Sequence, residues 1–251
     1  MSEEETQNGE RISKFLSRAG ICSRRDAERW IESGRVAVNG KRIKTPVVFV
    51  TEADRIEVDG DVVAGKQPTR LWLYHKPAGR ITTDSDPEGR PTIYEALPER
   101  LPRVMSVGRL DMNTEGLLLL TNDGGLARFM ELPDTGWARR YRVRILGTPT
   151  KETIAQLKKG VTIEGVKYRG IELEIEDNKK EGHNVWVEIT LQEGKNREIR
   201  KVMEHFGHPV SRLLRVSYGP FQLGRLSKGE VIEVSSKALK NAVGKKYKIE
   251  V

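Results

Sequence analysis

Apolar residues recur at helical spacing in the first stretch of the chain that can bury anything. Ile12, Phe15, Leu16 and Ala19 fall at i, i+3, i+4 and i+7, and Gly20 ends the run. A second helix follows, capped by Ser23 with Asp26 in the capping-box position and with Ala27, Trp30 and Ile31 turned inward. Gly34 stops it, Val36 and Val38 alternate as a short strand, and Asn39-Gly40 is a strong two-residue hairpin signal. From Leu71-Trp72-Leu73-Tyr74 onward strands dominate. The run Leu117 to Leu120, ending at Asn122-Asp123-Gly124, reads as a fully buried strand near the centre of the core. Arg140 to Ile145 alternates, so Tyr141, Val143 and Ile145 share one strand face and the arginines the other. Val161 to Ile175 reads as short strands with turns at Gly165 and Gly170, and Val185, Val187, Ile189 and Leu191 alternate as another. Ile199, Val202, Met203 and Phe206 then form one face of a helix closed by Gly207 and Pro209, whose other face carries Arg197, Arg200 and Lys201. Leu213 to Tyr218 and Glu230 to Val234 read as closing strands, and the Lys-rich stretch Lys237 to Lys248 as a solvated, partly helical tail.

This pattern predicts an α+β protein. Residues 1–10 are acidic and polar and are expected to be a disordered N-terminus. Two short helices and a hairpin occupy 11–63, a polar Gly- and Pro-containing linker 64–70, and a larger domain 71–251 with a mixed, largely antiparallel sheet flanked by helices. A length of 251 residues suffices for two such cores.

Charge adds a partner. The formal net charge is +8, and between Arg11 and Lys44 ten basic residues stand against three acidic ones, so nearly the whole excess lies in the N-terminal module. A polyanion is the expected ligand, with Arg18, Arg24, Arg25, Arg29, Arg35 and Lys41 as candidate phosphate contacts. Cys22 is the single cysteine, which excludes an internal disulfide and a thiolate zinc cluster. No apolar run approaches ~20 residues, so a cytoplasmic protein without a membrane partner is expected. Gly34 to Gly40-Lys41 imitates a phosphate-binding loop, but the spacing is one residue too long and Arg42 stands where Ser or Thr is required. His205 and His208 lack a nearby third ligand, so no metal site is expected.

The candidate chemistry lies in Val107 to Gly124. Gly108 frees the backbone, and in an extended segment Arg109 and Asp111 would project to one face, guanidinium beside carboxylate. By itself such a pair is more often a structural ion pair or a turn. The longer run Gly108-Arg109-Leu110-Asp111, with Thr114-Glu115-Gly116 and the leucine strand to Gly124, resembles the active-site signature of the RsuA/RluB-type family of bacterial ribosomal RNA pseudouridine synthases. Other segments match that family in the same order. They are a basic module similar to the alpha-L RNA-binding domain of a small-subunit ribosomal protein, a Lys76-Pro77 turn, the Arg139-Arg140-Tyr141-Arg142-Val143 strand and the Gly194-Lys195-Asn196-Arg197 helix entry.

The resemblance implies an isomerase that detaches a uracil at N1, turns it and rejoins it through C5, with no cofactor. It implies Asp111 as the catalytic acid, Tyr141 as an aromatic partner to the base, and Arg200 as a cation pairing with Asp111. It further implies Arg109 as a residue that helps extrude the target nucleotide, with Lys195 and Arg197 among the RNA contacts. Residues 84–90 form a turn-rich loop that could touch RNA. The motif wording Met112-Asn113-Thr114-Glu115-Gly116 is closest to the RluB-type branch, so 23S ribosomal RNA or an assembly particle is the expected partner of a monomeric enzyme. Small-subunit RNA is the competing substrate. A non-catalytic ribosome-assembly factor, or more distantly a nuclease or base-removing glycosylase, are the other readings.

Overall fold

A computed structural model describes residues 9–65, 67–132, 135–176, 183–247 and 249. Most of the acidic N-terminal arm expected to be disordered, residues 1–8, lies outside the described residues, as do Lys66 of the linker and Lys248 of the tail. The chain enters as β1 (Glu10–Arg11), α1 (Ile12–Arg18) and α2 (Arg24–Glu32). Ser23 Oγ accepts the Asp26 N–H at 3.0 Å while the Asp26 carboxylate accepts the Ser23 N–H at 3.2 Å, closing the expected capping box. Next come β2 (Val36–Val38), β3 (Lys41–Arg42), β4 (Phe49–Val50), β5 (Ile56–Val58) and β6 (Asp61–Val62). They form a sheet of order β3-β2-β5-β6, with β1 paired to β4. The β2–β3 turn places Asn39 and Gly40 at φ 50° and 78°, where Gly and Asn are tolerated best. Ile12, Phe15, Leu16, Ala27, Ile31, Val36, Val50 and Ile56 form its core.

The rest of the chain supplies β7 (Leu71–Lys76), β8 (Met105–Val107), β9 (Glu115–Thr121), α3 (Gly124–Glu131), β10 (Arg139–Leu146) and α4 (Lys151–Lys159). These are followed by β11 (Val161–Ile163), β12 (Val166–Tyr168), β13 (Glu172–Ile175), β14 (Asn184–Leu191), α5 (Glu198–His205) and β15 (Val210–Tyr218). The last elements are β16 (Phe221–Gln222), β17 (Val231–Glu233) and α6 (Ser236–Val243). A nine-stranded sheet runs β13-β14-β10-β15-β9-β7-β17, with β8 on β9 and β16 on β15. Every pairing in it is antiparallel except β15 with β9. The expected mixed, largely antiparallel α+β architecture is therefore present.

The leucine run is buried on both faces of β9. Leu118 and Leu120 enter one apolar cluster with Tyr141, Val143 and Ile199, whereas Leu117 and Leu119 enter another with Leu126, Met130 and Tyr218. All four are fully buried, each contributing about 1.5–3 kcal/mol by transfer from water. This makes β9 a stiff base for the loop that precedes it.

The chain turns after Asp111, whose carbonyl accepts the Thr114 N–H at 3.0 Å, and β9 begins at Glu115. Two expectations need correction. Glu10, inside the arm expected to be disordered, pairs with Val50 in the β1–β4 ladder. The C-terminal stretch is also more than a solvated tail. Leu239 and Val243 of α6 are buried in the second cluster, and Tyr247 packs on Phe129 and donates its hydroxyl to Asp123 at 3.0 Å. The Leu239, Ala242, Val243 spacing carries this face, and the surrounding lysines obscure it.

Candidate active site

The β8–β9 loop is held by its backbone. Lys76, at the end of β7 and fully buried, donates its ammonium to the carbonyls of Pro77, Asp111, Met112 and Thr114 at 2.9–3.3 Å. Burial pulls its pKa down to about 8, opposed by Asp111 and Glu115, so it remains charged at neutral pH. The Gly79 N–H donates to Met112 O at 2.8 Å, and Thr82 Oγ1 bridges the N–H and carbonyl of Leu110. The Lys76-Pro77 turn is thus architectural, and what it shapes is the loop bearing Asp111.

Asp111 stands at the wall of a cleft of about 1020 Å³ with its side chain 35 % exposed. Its ion-pair partner is Arg197, Nη1 to Oδ2 at 3.6 Å. Arg197 precedes α5 in the left-handed conformation, φ 52°, so it points toward the β8–β9 loop and away from the basic face of the helix. The resemblance assigned this pairing to Arg200, and there the structure differs. Arg200 donates to Val210 O at 3.1 Å and Asn113 O at 3.2 Å, buttressing the loop from behind. Burial, then repulsion from Arg197, lowers its pKa, and Asp111 opposes both. Arg109 is exposed at the cleft and is not the ion-pair partner of Asp111.

Tyr141 lies on β10 opposite Arg215 of β15, and both are buried and line the cleft. The loop entering α5 is tied by two buried glutamates. Glu193 accepts the Arg169 N–H at 2.7 Å and pairs with Lys195, and Glu198 accepts the Lys195 N–H at 2.9 Å. Lys195, expected as an RNA contact, therefore has its ammonium on Glu193, on Lys167 O and over the Tyr168 ring. Residues 85–87 and Arg90 of the turn-rich loop lie at the cleft, with Asp86 paired to Arg90 at 2.7 Å.

Glu198 has a pKa pushed up to about 7, by burial first and by the neighbouring Glu193 carboxylate, against the Lys195 N–H that favours the ionised form. Between its ordinary value of 4.5 and about 7 the folded protein holds a proton that the unfolded chain releases, so stability falls as pH rises through that window. Glu198→Gln, which keeps the neutral form, is expected to flatten the fall. Urea unfolding at about pH 5 and about pH 7.5 should show wild type losing on the order of 1–3 kcal/mol more than the variant. Equal slopes would mean that Glu198 is ionised throughout.

In the N-terminal module Arg24, Arg25 and Lys41 are exposed. Arg18 pairs with Glu10 at 3.0 Å, Arg29 with Asp26, and Arg35 with Asp59 while lying over Trp30 at 4.7 Å. His205 meets Phe206 edge to face, and His208 Nδ1 is 2.9 Å from Leu146 O. Among the described residues no helix is long and apolar enough to cross a membrane.

Residues 70–205 match the family model described as RNA pseudouridylate synthase, and residues 10–56 match the S4 domain. The chain belongs to the RNA pseudouridylate synthase family. This pseudouridine synthase is 44% identical over 239 residues to an uncharacterized RNA pseudouridine synthase of Rickettsia typhi, spanning 94% of this chain and 96% of the relative. It is 42% identical over 244 residues to ribosomal large subunit pseudouridine synthase B of Yersinia pestis, spanning 92% and 74%. A crystal structure of a pseudouridylate synthase superposes with a TM-score of 0.66 at 25% identity, covering 93% of this chain and all of that one. The synthase is an isomerase of the RsuA/RluB type with an S4-type N-terminal module.

Sequence reasoning passed over Arg139, Arg215 and Tyr218, which line the inner part of the cleft. The available signal was alternation along β15, which sets Arg215 on the same face as Leu213 and Ser217.

Proposed function

We propose that the protein isomerises one uridine of large-subunit ribosomal RNA to pseudouridine, with Asp111 as the catalytic carboxylate. The observation that carries this reading is a half-exposed carboxylate, paired with Arg197, at the wall of a cleft large enough for a nucleotide. The large-subunit assignment rests on the name of the Yersinia pestis relative. Residues 11–63 hold the RNA, with Arg24, Arg25 and Lys41 free to meet phosphates, and residues 71–251 carry the chemistry on a cytoplasmic monomer.

A stacked uridine reaches a recessed carboxylate only by leaving its helix, and the exposed Arg109 beside the cleft is placed to occupy the space it vacates. Tyr141 stacks on the base, Arg197 pairs with the Asp111 carboxylate, and Arg200 holds the loop that presents it. Cleavage of the C1′–N1 bond gives C1′ positive character, which an adjacent carboxylate stabilises by capturing the sugar or by removing its C2′ proton. The uracil turns, and its C5=C6 pair forms the C5–C1′ bond as the Asp111–C1′ bond breaks on the first route, or as Asp111 returns the proton to C2′ on the second; the C5 proton then leaves and N1 gains one. Substrate and product are isomers, so atoms and electrons balance without a co-reactant.

Incubating the protein with total bacterial ribosomal RNA and mapping carbodiimide-dependent reverse-transcription stops tests the assignment. A new stop in large-subunit RNA is expected. A stop confined to small-subunit RNA would move the substrate, and no stop on free RNA or on assembly particles would remove the enzymatic reading of the cleft.

A further inference from the structure

Arg215 is the most deeply placed cation of the cleft. It is 3 % exposed, and its Nε donates to Leu117 O at 2.7 Å. Its guanidinium lies over the Tyr218 ring at 5.0 Å, on which Arg139 also packs at 4.7 Å. Arg139 is satisfied by the carbonyls of Trp137 and Gln192 and by the Tyr218 hydroxyl. Arg215 is not, because its Nη2 is buried without a hydrogen-bond partner among the described residues. A buried guanidinium with an open donor and an aromatic face in place of a carboxylate is costly unless a ligand completes it.

We propose that Arg215 is a catalytic residue whose guanidinium donates to a carbonyl oxygen of the inserted uracil and stabilises the base as it departs as an anion. The inference rests on the isomerase reading above and adds a second charged group to it. Whether Asp111 takes C1′ or the C2′ proton, the C1′–N1 electron pair leaves with uracil and spreads over N1, O2 and O4. A fixed cation in a pocket walled by Leu213, Ile199 and Tyr141 acts on that charge with little screening by water. A backbone phosphate is the poorer fit. Asp111, which meets the sugar, is 35 % exposed at its side chain, and a group reaching past it to Arg215 must be the part of the nucleotide inserted deepest. The register of Arg215 opposite Tyr141 places the donor beside the ring expected to stack on the base.

The test compares single-turnover loss of the N-glycosidic nucleoside in two transcripts of the target segment, one with uridine and one with 5-fluorouridine, whose base is the more acidic leaving group. Arg215→Gln is expected to slow the uridine RNA by about 100-fold, with RNA affinity nearly unchanged, and to slow the 5-fluorouridine RNA about tenfold less. One preparation acts on both RNAs, so the ratio does not depend on how much of the variant is folded. Arg215→Lys, which keeps the charge, should shift the ratio in the same direction by less. Equal losses on both RNAs, or a loss in affinity alone as for a phosphate contact, would overturn the role of Arg215. Asp111→Asn run alongside separates the two readings. Inactivity on both RNAs leaves only the Arg215 result to decide, and wild-type rates on both would remove the catalytic reading of the whole cleft.

Discussion

Asp111→Asn is expected to lower single-turnover conversion by on the order of 10⁴-fold, the upper range for a positioned acid or base, while RNA affinity and melting temperature stay close to wild type. The separation follows from how the loop is built. Lys76, Gly79 and Thr82 grip the backbone of residues 110–114, and none of these contacts uses the carboxylate. Asparagine has the same volume and keeps the turn. The ion pair it loses is the one with Arg197 at 3.6 Å, an exposed pair worth about 0–1 kcal/mol. What disappears is negative charge at the sugar. A large fall in melting temperature would mean that Asp111 is structural, and residual conversion above a hundredth of wild type would mean that another group does the chemistry.

Gly116→Ala should have the opposite signature, a loss of fold. Gly116 has φ +106°, and a Cβ there would sit 2.3 Å from Arg215 O and 2.7 Å from Arg215 N, at the only parallel pairing of the nine-stranded sheet. Both neighbours are backbone, so relief requires β9 and β15 to part. Either the seam opens or the residue strains, and we expect a destabilisation of more than about 4 kcal/mol, near a 10 °C drop in melting temperature for a domain of this size. Thermal unfolding followed by circular dichroism reads it. An unchanged transition would show that the seam yields cheaply.

The features legible in the sequence were those set by near neighbours. The Ser23–Asp26 cap, the Asn39-Gly40 turn and the alternation of β10 depend on residues a few positions apart, and all took the expected form. The four leucines of β9 announced a strand buried on both faces. What the chain could not announce was pairing across long separations. Nothing near Gly116 indicates that β15 will lie parallel to it, and so neither the need for glycine nor the burial of Arg215 was foreseeable. The cation beside Asp111 escaped for a related reason. The resemblance pointed to Arg200, and helical periodicity put Arg197 on the same face, whereas Arg197 stands one residue before the helix in a left-handed conformation that periodicity does not describe. In α6 the lysines drew the reading toward solvent, and the buried Leu239 and Val243 show which residues decide.

The parallel seam also imposes an order of events during translation. Every member of the N-terminal cluster lies between Ile12 and Val63, so that module can close early. Leu117 and Arg215, joined across β9 and β15, are 98 positions apart, and such distant pairing is slow and waits for the later segment to be made. For an interval the nascent polypeptide therefore has a finished positively charged clamp and no working cleft. Under the proposed function it gains the capacity to grip RNA before it gains the capacity to alter it.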